Sequence, residues 1–259
     1  MKDKVIVITG ASAGIGEQLA EVCYARGARV VLAARNAETL GALATRLGDR
    51  AFAVPTDVSK REDNEQLCAR AIEKFGQVDV WVANAGRGIS RPVSQLTEAD
   101  VDDMMTTNFK SVLFAIQAVL PHFKERSRGH LIAVSSMLGR IPFAPIRSAY
   151  SASKAAVNSL MTSLRVELRP QFSGIHASVV LPGVVATEFG NNALHGGPDS
   201  RSFPNAQPAS EVATVIADLI EKPRAEVYTR PQMREMAAKY FSAEDVSEIE
   251  ASFGGPPPR

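Results

Sequence analysis

The sequence contains few of the residue types that build metal sites and disulfide frameworks. Of its 259 residues, two are cysteines and four are histidines. Cys23 and Cys68 lie far apart without the spacing of metal ligands, which favours free, reduced core thiols and a cytoplasmic protein. The histidines are scattered as well. These features predict that the protein holds no metal ion.

An excess of charge of one sign and long apolar runs are also missing. The net charge is +1, with acids and bases interspersed, which argues against binding to nucleic acid or to a charged membrane surface. The apolar run Val5 to Ile8 is too short for the core of a signal peptide or for a membrane span. With 45% hydrophobic residues, the composition suits a globular domain whose core is covered on both faces.

A helix-like stretch, a glycine and a β-branched run recur along the chain. The pattern is found in ARGARVVLAA, RLGDRAFAV, KFGQVDVWVA, SRGHLIAVSS and FSGIHASVVL. Glycine often closes a helix, and short runs that are apolar throughout are typical of strands buried on both faces. Together with Val5–Thr9 they predict six strands, and AEVYTR (225–230) is a weaker seventh. The predicted helices lie near 15–26, 37–47, 60–75, 98–125, 149–169 and 209–221.

Glycines at positions 10, 14 and 16 separate the first strand from the first helix. Gly10 permits a tight turn, Gly14 lets the backbone approach a pyrophosphate, and Gly16 lets the helix pack on the strand. The N-terminus of the helix offers free N–H groups to phosphates. A plain turn is the alternative, but the position after the first strand of a βαβ unit favours a nucleotide site.

These elements predict an α/β fold in a single domain over residues 1–259. Strand–helix alternation implies right-handed crossovers and hence a Rossmann-type, doubly wound parallel sheet of about seven strands with helices on both faces. The segment 188–208 is rich in Gly, Pro and Asn and breaks the alternation, so we expect it to form a lid over the substrate. We expect His195 within it to be a solvated loop residue. The tail 253–259 is expected to be flexible.

The end of the second strand favours NADP over NAD. An acid there would accept hydrogen bonds from the ribose hydroxyls of NAD, whereas this chain has Ala34 followed by Arg35. A guanidinium is suited to bidentate contact with a 2′-phosphate. The alternative is a solvated arginine at the start of a helix. We therefore predict NADP(H) as the preferred cofactor, with NAD(H) possible.

Tyr150 and Lys154 lie one helical turn apart among small side chains. Residues four apart share a helix face, so the phenol and the ammonium point into the same space. A free tyrosine titrates near pH 10, and a nearby cation lowers that pKa. The pair alone is a weak pattern that also occurs on helix surfaces. Its small neighbours leave room for a cofactor and a carbonyl group.

Six motifs together resemble the short-chain dehydrogenase/reductase family, in its short single-domain type. In chain order they are TGASAGIG (9–16), ANAG (83–86), Asn108, SS (135–136), YSASK (150–154) and PGVVAT (182–187). The resemblance implies an oxidoreductase that transfers a hydride between a nicotinamide and a carbonyl or secondary alcohol. It also implies a homodimer or homotetramer paired through the helices near 98–125 and 149–169.

The resemblance implies a catalytic role for each of four residues. Tyr150 is the general acid in reduction and the general base in oxidation. Lys154 lowers the pKa of Tyr150 and holds the nicotinamide ribose. Ser136 hydrogen-bonds the substrate oxygen, and Asn108 positions a water that passes protons to Lys154.

The choice of Ser136 involves one departure from the family pattern. It lies one residue further from Tyr150 than the commonest family spacing, which would fall on Met137. Ser135 is therefore kept as the alternative.

Cofactor contacts follow from the same matches. Asp57 matches an adenine-contacting acid, although an N-cap of the next helix is an alternative role. Ala83 replaces the first asparagine of the family's usual pair, which leaves Asn84 for the cofactor. Thr187 would bind the nicotinamide carboxamide. The complete implied set is Gly10, Ser12, Ala13, Gly14, Ile15, Gly16, Arg35, Asp57, Val58, Asn84, Ala85, Gly86, Tyr150, Lys154, Pro182, Gly183, Val185 and Thr187.

The substrate pocket should form at the ends of strands four, five and six. The predicted substrate-binding residues are Ser136, Met137, Leu138, Phe143, Tyr150 and Phe189, with Leu194 close by. Their apolar character suggests a partly hydrophobic carbonyl or alcohol. Arg87, Arg91 and Arg147 lie near the pocket and could meet a substrate carboxylate, although surface arginines are common.

Two other classes of protein compete with the enzyme. A catalytically idle NADP-binding sensor or scaffold predicts loss of at least one of the four catalytic residues, and none is lost. An RNA-binding protein on the same fold is disfavoured by the balanced charge and the lack of a basic stripe.

Overall fold

Within residues 1–252, which the structure describes, seven parallel strands form one sheet. The structure is a computed structural model, and the tail 253–259, predicted to be flexible, lies outside the described residues. The strands are β1 (Val5–Thr9), β2 (Arg29–Ala34), β3 (Ala51–Pro55), β4 (Val80–Ala83), β5 (Gly129–Val134), β6 (Ile175–Leu181) and β7 (Glu226–Tyr228). This confirms the predicted parallel sheet, including its weak last strand.

The spatial order of the strands is β3-β2-β1-β4-β5-β6-β7. The order reverses between β1 and β4, which pair directly through Ile6 and Val80. In open α/β sheets, ligands bind at the carboxyl ends of the strands beside such a reversal. The topology therefore places the glycine turn that follows β1 at the crevice where a nucleotide is expected.

Helices cover both faces of the sheet. They are α1 (Gly14–Ala25), α2 (Ala37–Leu47), α3 (Arg61–Phe75), α4 (Glu98–Met104), α5 (Ser111–Glu125), α6 (Ser148–Leu168), α7 (Ala209–Glu221), α8 (Pro231–Ser242) and α9 (Ser247–Glu250). Because successive side chains of a strand point to opposite faces, Val5 and Val7 join one buried cluster and Ile6 and Ile8 the other. The first cluster lies under α3, α5 and α6, and the second under α1, α2 and α7.

The predicted helix 98–125 is interrupted in the structure. α4 ends at Met104, a π-helical segment covers Met105–Lys110, and α5 begins at Ser111. Single π-helical turns inside α-helices are frequent at functional sites. Here the wider turn contains Asn108, whose side chain is fully buried, so the distortion lies at a residue predicted to be catalytic.

α8 was missing from the sequence prediction, although Pro231 at its first turn is a typical helix-start signal. The helix packs beside the loop that follows β5. Ala237 of α8 is buried against Met137 and Ile141 of that loop, and Met233 joins the same cluster. α8 therefore supports one wall of the region where the substrate is expected.

The structure also bears on the expectations about a membrane span, a metal ion, the two thiols and the oligomeric state. Among residues 1–252, no helix is long and apolar enough to cross a membrane, and no group of three His, Cys, Asp or Glu side chains is placed to hold a metal ion. Burial raises the pKa of the Cys23 thiol to about 12 and that of Cys68 to about 11. Val166 is the one strongly exposed large apolar side chain on the described parts of α5 and α6, at 69%. The homo-oligomer stays a prediction.

Candidate active site

The turn between β1 and α1 is built by close backbone contacts. Gly10 and Gly14 adopt positive φ angles of 66° and 59°, which side-chain-bearing residues seldom adopt. A Cβ on Gly10 would lie 2.9 Å from the Cα of Ala85, and a Cβ on Gly16 would overlap the carbonyl oxygen of Gly10. Glycine is therefore required sterically at these positions, and the turn brings the start of α1 close to the end of β4.

Asn84 fastens this turn to β4. Its Nδ2 donates to the carbonyl oxygens of Thr9 at 2.9 Å and Gly10 at 3.3 Å. The Thr9 hydroxyl accepts from the backbone N–H groups of Asn84 and Ala85, both at 3.1 Å. The amide of Asn84, which is predicted to contact the cofactor, thus donates to the backbone of the glycine turn and holds it in place.

A cleft of about 430 Å³ opens beside the glycine turn. Its lining residues are Gly14, Glu17, Gln18, Ala186, Ala206, Pro208, Ala209 and Ser210. No side chain caps the first turn of α1, so its free N–H groups are available to an anion there. The Thr187 methyl group lies 3.0 Å from where a Cβ of Gly14 would stand. Small residues, an uncapped helix end and close backbone packing fit the pyrophosphate of a dinucleotide; Ser12, Ala13 and Ile15 belong to the same turn.

Arg35 and Asp57 lie together at the carboxyl ends of β2 and β3. Arg35 is exposed. The pKa of Asp57 is lowered from its ordinary value, first by the Ser59 hydroxyl and also by the charge of Arg35. Asp57 does not cap α3, whose N-cap is Lys60; its Oδ1 accepts from the N–H and the hydroxyl of Ser59 instead. Val58 follows in the same turn.

Tyr150 and Ser136 meet at the carboxyl end of β5. Tyr150 lies on the inner face of α6 and is 7% exposed. Burial raises the pKa of Tyr150 to about 12, while a hydrogen bond from Ser136 and the charge of Arg147 act in the opposite direction. Ser135 points elsewhere: its hydroxyl donates to the backbone carbonyl of Lys154 at 3.1 Å. Of the two serines, Ser136 is the one that faces the phenol.

Lys154 is buried beside the phenol and donates to a backbone carbonyl. Its Nζ donates to the carbonyl oxygen of Val134 at 2.9 Å and lies 5.8 Å from the centre of the Tyr150 ring. Burial lowers the pKa of Lys154 to about 8. That Lys154, together with the bound oxidised nicotinamide, lowers the pKa of Tyr150 stays a prediction; in the protein alone, Ser136 and Arg147 lower it. Burial, which residue spacing does not reveal, raises the pKa of Tyr150 and lowers that of Lys154.

Asn108 connects the loop after β4 to α6. Its Oδ1 accepts from the N–H of Arg87 at 2.8 Å, and its Nδ2 donates to the carbonyl oxygen of Arg87 and to the Ser153 hydroxyl. A Cβ on Gly86 would lie 3.0 Å from Asn108 Oδ1 and 3.4 Å from Lys154 Nζ. Asn108, Gly86 and Lys154 therefore converge, with the asparagine side chain already engaged by the protein.

Two residues that the sequence analysis missed hold the loop after β5 against α6. Asn158 Nδ2 donates to the carbonyl oxygen of Gly139 at 2.9 Å. A Cβ on Gly139 would lie 2.8 Å from the carbonyl carbon of Lys154, so only glycine fits this contact. The contact sets the position of Ser136 relative to Tyr150. A glycine five residues after a strand is a weak signal, and nothing in the sequence pairs it with Asn158.

The predicted substrate residues fall into two groups. Leu138, Phe189 and Leu194 pack in one apolar cluster with Tyr150, and the Phe189 and Tyr150 ring centres are 5.5 Å apart. Met137 and Phe143 belong to the other cluster, with Ala237 and Met233 of α8. The structure thus brings the first group and Ser136 to the phenol, whereas the second group packs against α8.

The loop after β6 connects the cofactor cleft to α8. The Pro182 carbonyl oxygen accepts from the N–H of Met137 at 2.8 Å, and Gly183 lies against Met233. Val185 pairs with Gln207, which fastens both ends of the predicted lid to each other.

The segment 188–208 lies against the loop after β4. The N–H of Leu194 donates to the carbonyl oxygen of Gly88, and the N–H of Ser90 donates to that of Leu194, at 2.8 and 3.0 Å. His195 is not simply solvated, because its Nε2 lies 2.6 Å from Oδ1 of the buried Asp100. Arg91 Nη1 bonds the other oxygen of that carboxylate at 2.8 Å.

Replacing Asp100 by asparagine is expected to loosen the segment 188–208. The N–H and hydroxyl of Thr97, with His195 and Arg91, hold the pKa of Asp100 well below its ordinary range, so its charge persists at neutral and mildly acidic pH. Loss of that charge weakens the ion pair with Arg91, the hydrogen bond with His195 and the capping box at Thr97. Tryptic cleavage after Arg201 should become severalfold faster. Asp102→Asn, at an exposed neighbour, is the control, and equal cleavage rates in the two variants would contradict the expectation.

Comparisons with known proteins identify the family. A sequence profile described as short chain dehydrogenase matches residues 4–196. The chain is 42% identical over 193 residues to an uncharacterized oxidoreductase of Listeria innocua. The aligned residues make up 73% of this chain and 77% of the relative. The chain therefore belongs to the short-chain dehydrogenase/reductase family, as its motifs predict.

Solved structures share this fold. A short-chain dehydrogenase/reductase from Burkholderia phymatum in complex with NAD superposes with a TM-score of 0.85 at 25% identity, over 100% of this chain and 98% of that one. An alcohol dehydrogenase from Thermococcus sibiricus complexed with 5-hydroxy-NADP gives a TM-score of 0.77 at 29% identity, over 88% and 96%. Both kinds of nicotinamide cofactor thus occur among these structural neighbours.

Proposed function

We propose that this protein is an NADP(H)-dependent oxidoreductase that interconverts a carbonyl group and a secondary alcohol. One arrangement carries the proposal: the buried phenol of Tyr150 faces Ser136 at the carboxyl edge of the sheet, and the buried ammonium of Lys154 lies 5.8 Å from the centre of the phenol ring. When bound, the nicotinamide cofactor supplies or accepts the hydride.

In reduction, the chain's own task is to hold the carbonyl oxygen and to donate a proton to it. The Ser136 hydroxyl and the Tyr150 phenol are the two donors that face the site. With a pKa of about 12, Tyr150 carries its proton at neutral pH, which is the form that an acid catalyst needs. The proton leaves the phenol oxygen as the substrate oxygen becomes a hydroxyl, and Lys154 and Arg147 are cations near the phenolate that results.

The preference for NADP(H) rests on Arg35. The guanidinium is exposed at the end of β2, and no acid precedes it at Ala34. A planar cation there can bind a 2′-phosphate with two charge-assisted hydrogen bonds, whereas its interaction with an uncharged ribose hydroxyl is much weaker. The alternative of a catalytically idle nucleotide-binding protein is not favoured, because all four residues proposed to be catalytic are present in the chain.

The direct test is a panel of carbonyl compounds and secondary alcohols, assayed with NADPH, NADH and their oxidised forms. Turnover of at least one carbonyl with NADPH, at a higher kcat/KM than with NADH, is the expected result. Binding of NADPH without turnover across the panel would instead support the idle alternative.

Replacing Arg35 by alanine is expected to weaken NADPH binding about 10- to 100-fold and to leave NADH binding nearly unchanged, since a charge-assisted hydrogen bond contributes about 1.5 to 3 kcal/mol. The dissociation constants can be measured by quenching of the Trp81 fluorescence or by calorimetry. Arg128→Ala is the control, because this exposed arginine directly precedes β5 and so lies at the amino ends of the strands, opposite the cofactor site. Equal losses for both cofactors would remove Arg35 from the explanation of specificity.

A further inference from the structure

The three arginines near the substrate pocket differ in their partners. Arg87 Nη1 pairs with Asp103 at 3.6 Å, and Arg91 Nη1 pairs with Asp100 at 2.8 Å. Arg147 has no carboxylate within 4.0 Å among the described residues. Its charge is therefore the one of the three that the protein leaves without a counter-ion.

Arg147 lies where the loops after β4, β5 and β6 meet. Its Nη1 donates to the carbonyl oxygen of Ile89 at 3.1 Å. A Cβ on Gly88 would stand 2.9 Å from Arg147 Nη1 and 3.0 Å from the Phe189 ring, so guanidinium and ring converge on that glycine. The same ring packs against Tyr150, and the charge of Arg147 acts on the phenol. The guanidinium is thus a near neighbour of the proposed proton donor.

Holding this guanidinium without an acid costs free energy, because burial removes part of its hydration. Arg147 is half-buried, and burial lowers its pKa from the ordinary value, although an arginine keeps its charge in proteins. Its Nη2 makes no hydrogen bond to any described residue. A half-buried charge without a counter-ion, beside the proposed proton donor, points to a partner that comes with the ligand.

A second unsatisfied polar group lies next to the first. The Ser90 hydroxyl is buried and has no hydrogen-bond partner among the described residues. Ser90 Oγ and Arg147 Nη2 lie 2.6 and 3.1 Å from the position that a Cβ of Gly197 would take. The Gly190 carbonyl oxygen lies 2.8 Å from the same position, so no side chain would fit at residue 197, and the glycine lets the two donors lie close together. A buried hydroxyl without a partner is uncommon and calls for an explanation.

We propose that Arg147 and Ser90 form a binding site for a carboxylate of the substrate. The inference rests on the proposed function and narrows it: the substrate is an oxo acid, or the corresponding hydroxy acid, in place of a neutral ketone or alcohol. Arg147 Nη2 and the Ser90 hydroxyl donate to the carboxylate, while Leu138 and Phe189 contact the apolar part that leads to the reacting carbon.

This site also couples substrate binding to the proton donor. In the protein alone, the charge of Arg147 lowers the pKa of Tyr150. A bound carboxylate neutralises that charge, so the phenol holds its proton more firmly until the carbonyl oxygen takes it. Removing Arg147 should therefore affect acids and neutral compounds differently.

The test measures binding of matched acids and esters to the NADP⁺-loaded protein by calorimetry. The probes are 3-oxobutanoate and 4-oxopentanoate, each beside its methyl ester. Wild type should bind at least one acid about tenfold more tightly than the ester, and Arg147→Met should abolish that difference with little change for the ester. Arg147→Lys should retain part of it. Arg87→Met, at the arginine that Asp103 already neutralises, is the matched control and should keep the preference.

A second variant, which leaves the arginine in place, distinguishes loss of the binding site from misfolding. Ser90→Ala removes a buried hydroxyl without a partner, so the melting temperature should not fall, whereas the acid affinity should fall about three- to tenfold. Equal affinity of wild type for acids and esters, equal losses for both in Arg147→Met, or tighter binding of inorganic phosphate than of either acid would overturn the proposal. Because binding needs no turnover, acid binding without any reduction would count against the oxidoreductase instead. Turnover of neutral ketones without acid preference would leave the oxidoreductase standing and remove only the carboxylate site.

Discussion

Replacing Tyr150 by phenylalanine is expected to lower kcat/KM for carbonyl reduction by about 10²- to 10⁴-fold, the usual contribution of a positioned acid catalyst. The phenylalanine keeps the ring that packs on Phe189 but removes the proton that the substrate oxygen must receive. The loss should therefore fall on kcat, while the dissociation constant of NADPH changes little. Steady-state kinetics and a separate cofactor titration measure the two effects.

The control for this variant is Tyr228→Phe. Tyr228 is a half-buried tyrosine whose pKa burial also raises to about 12, but it lies on β7 beside Glu226 and outside the apolar cluster of Tyr150 and Phe189. It should retain nearly all activity. Full activity in Tyr150→Phe would show that another group donates the proton and that the mechanism proposed for the site is wrong.

Replacing Lys154 by methionine is expected to abolish most of the activity and at the same time to stabilise the protein at pH 7. Burial lowers the pKa of Lys154 to about 8 from the 10.5 of an exposed lysine, a penalty of about 3 kcal/mol for the buried charge. Part of it is offset because the Val134 carbonyl loses its donor. The net gain in the free energy of unfolding should be roughly 1 to 3 kcal/mol.

The gain should depend on pH in a defined direction. Below about pH 8 the folded wild type holds a protonated Lys154 and carries the whole penalty. As the pH rises from 8 towards 10.5, the folded lysine loses its proton while the unfolded one keeps it, so the wild type gains stability and the variant's advantage shrinks. Denaturant unfolding at pH 7 and pH 9.5 measures this. Lys222→Met, at an exposed lysine, should show no such trend, and a lower stability of Lys154→Met at pH 7 would refute the argument.

The predictions for Tyr150 and Lys154 rest on two kinds of information. The sequence identifies the two side chains, whereas their pKa values depend on the folded structure. The one-turn spacing of Tyr150 and Lys154 indicates a shared face, because helix geometry is local. The direction of each pKa shift depends on how completely the neighbouring elements exclude water, and these elements are distant in sequence. For that reason the spacing indicates a cation near the phenol, whereas only the structure reveals that burial raises the pKa of Tyr150 and lowers that of Lys154.

The choice between Ser135 and Ser136 shows the same division. Adjacent residues on an extended chain point in opposite directions, so only one of the two can face the phenol. Sequence spacing left both in consideration. The structure assigns Ser135 to the Lys154 carbonyl and Ser136 to Tyr150, because Gly139 and Asn158 fix the loop against α6.

By itself, the sequence determined the sheet, its parallel direction, the nucleotide turn and the family. Apolar runs, glycine positions and helix periodicity are short-range signals, and they act through backbone conformation and burial that any homologous packing reproduces. Only the tertiary structure decided which arginine lacks a counter-ion, which apolar residues reach Tyr150 and how α4 and α5 divide around Asn108. Those features arise from contacts between loops far apart along the chain, where electrostatics and desolvation depend on three-dimensional neighbours.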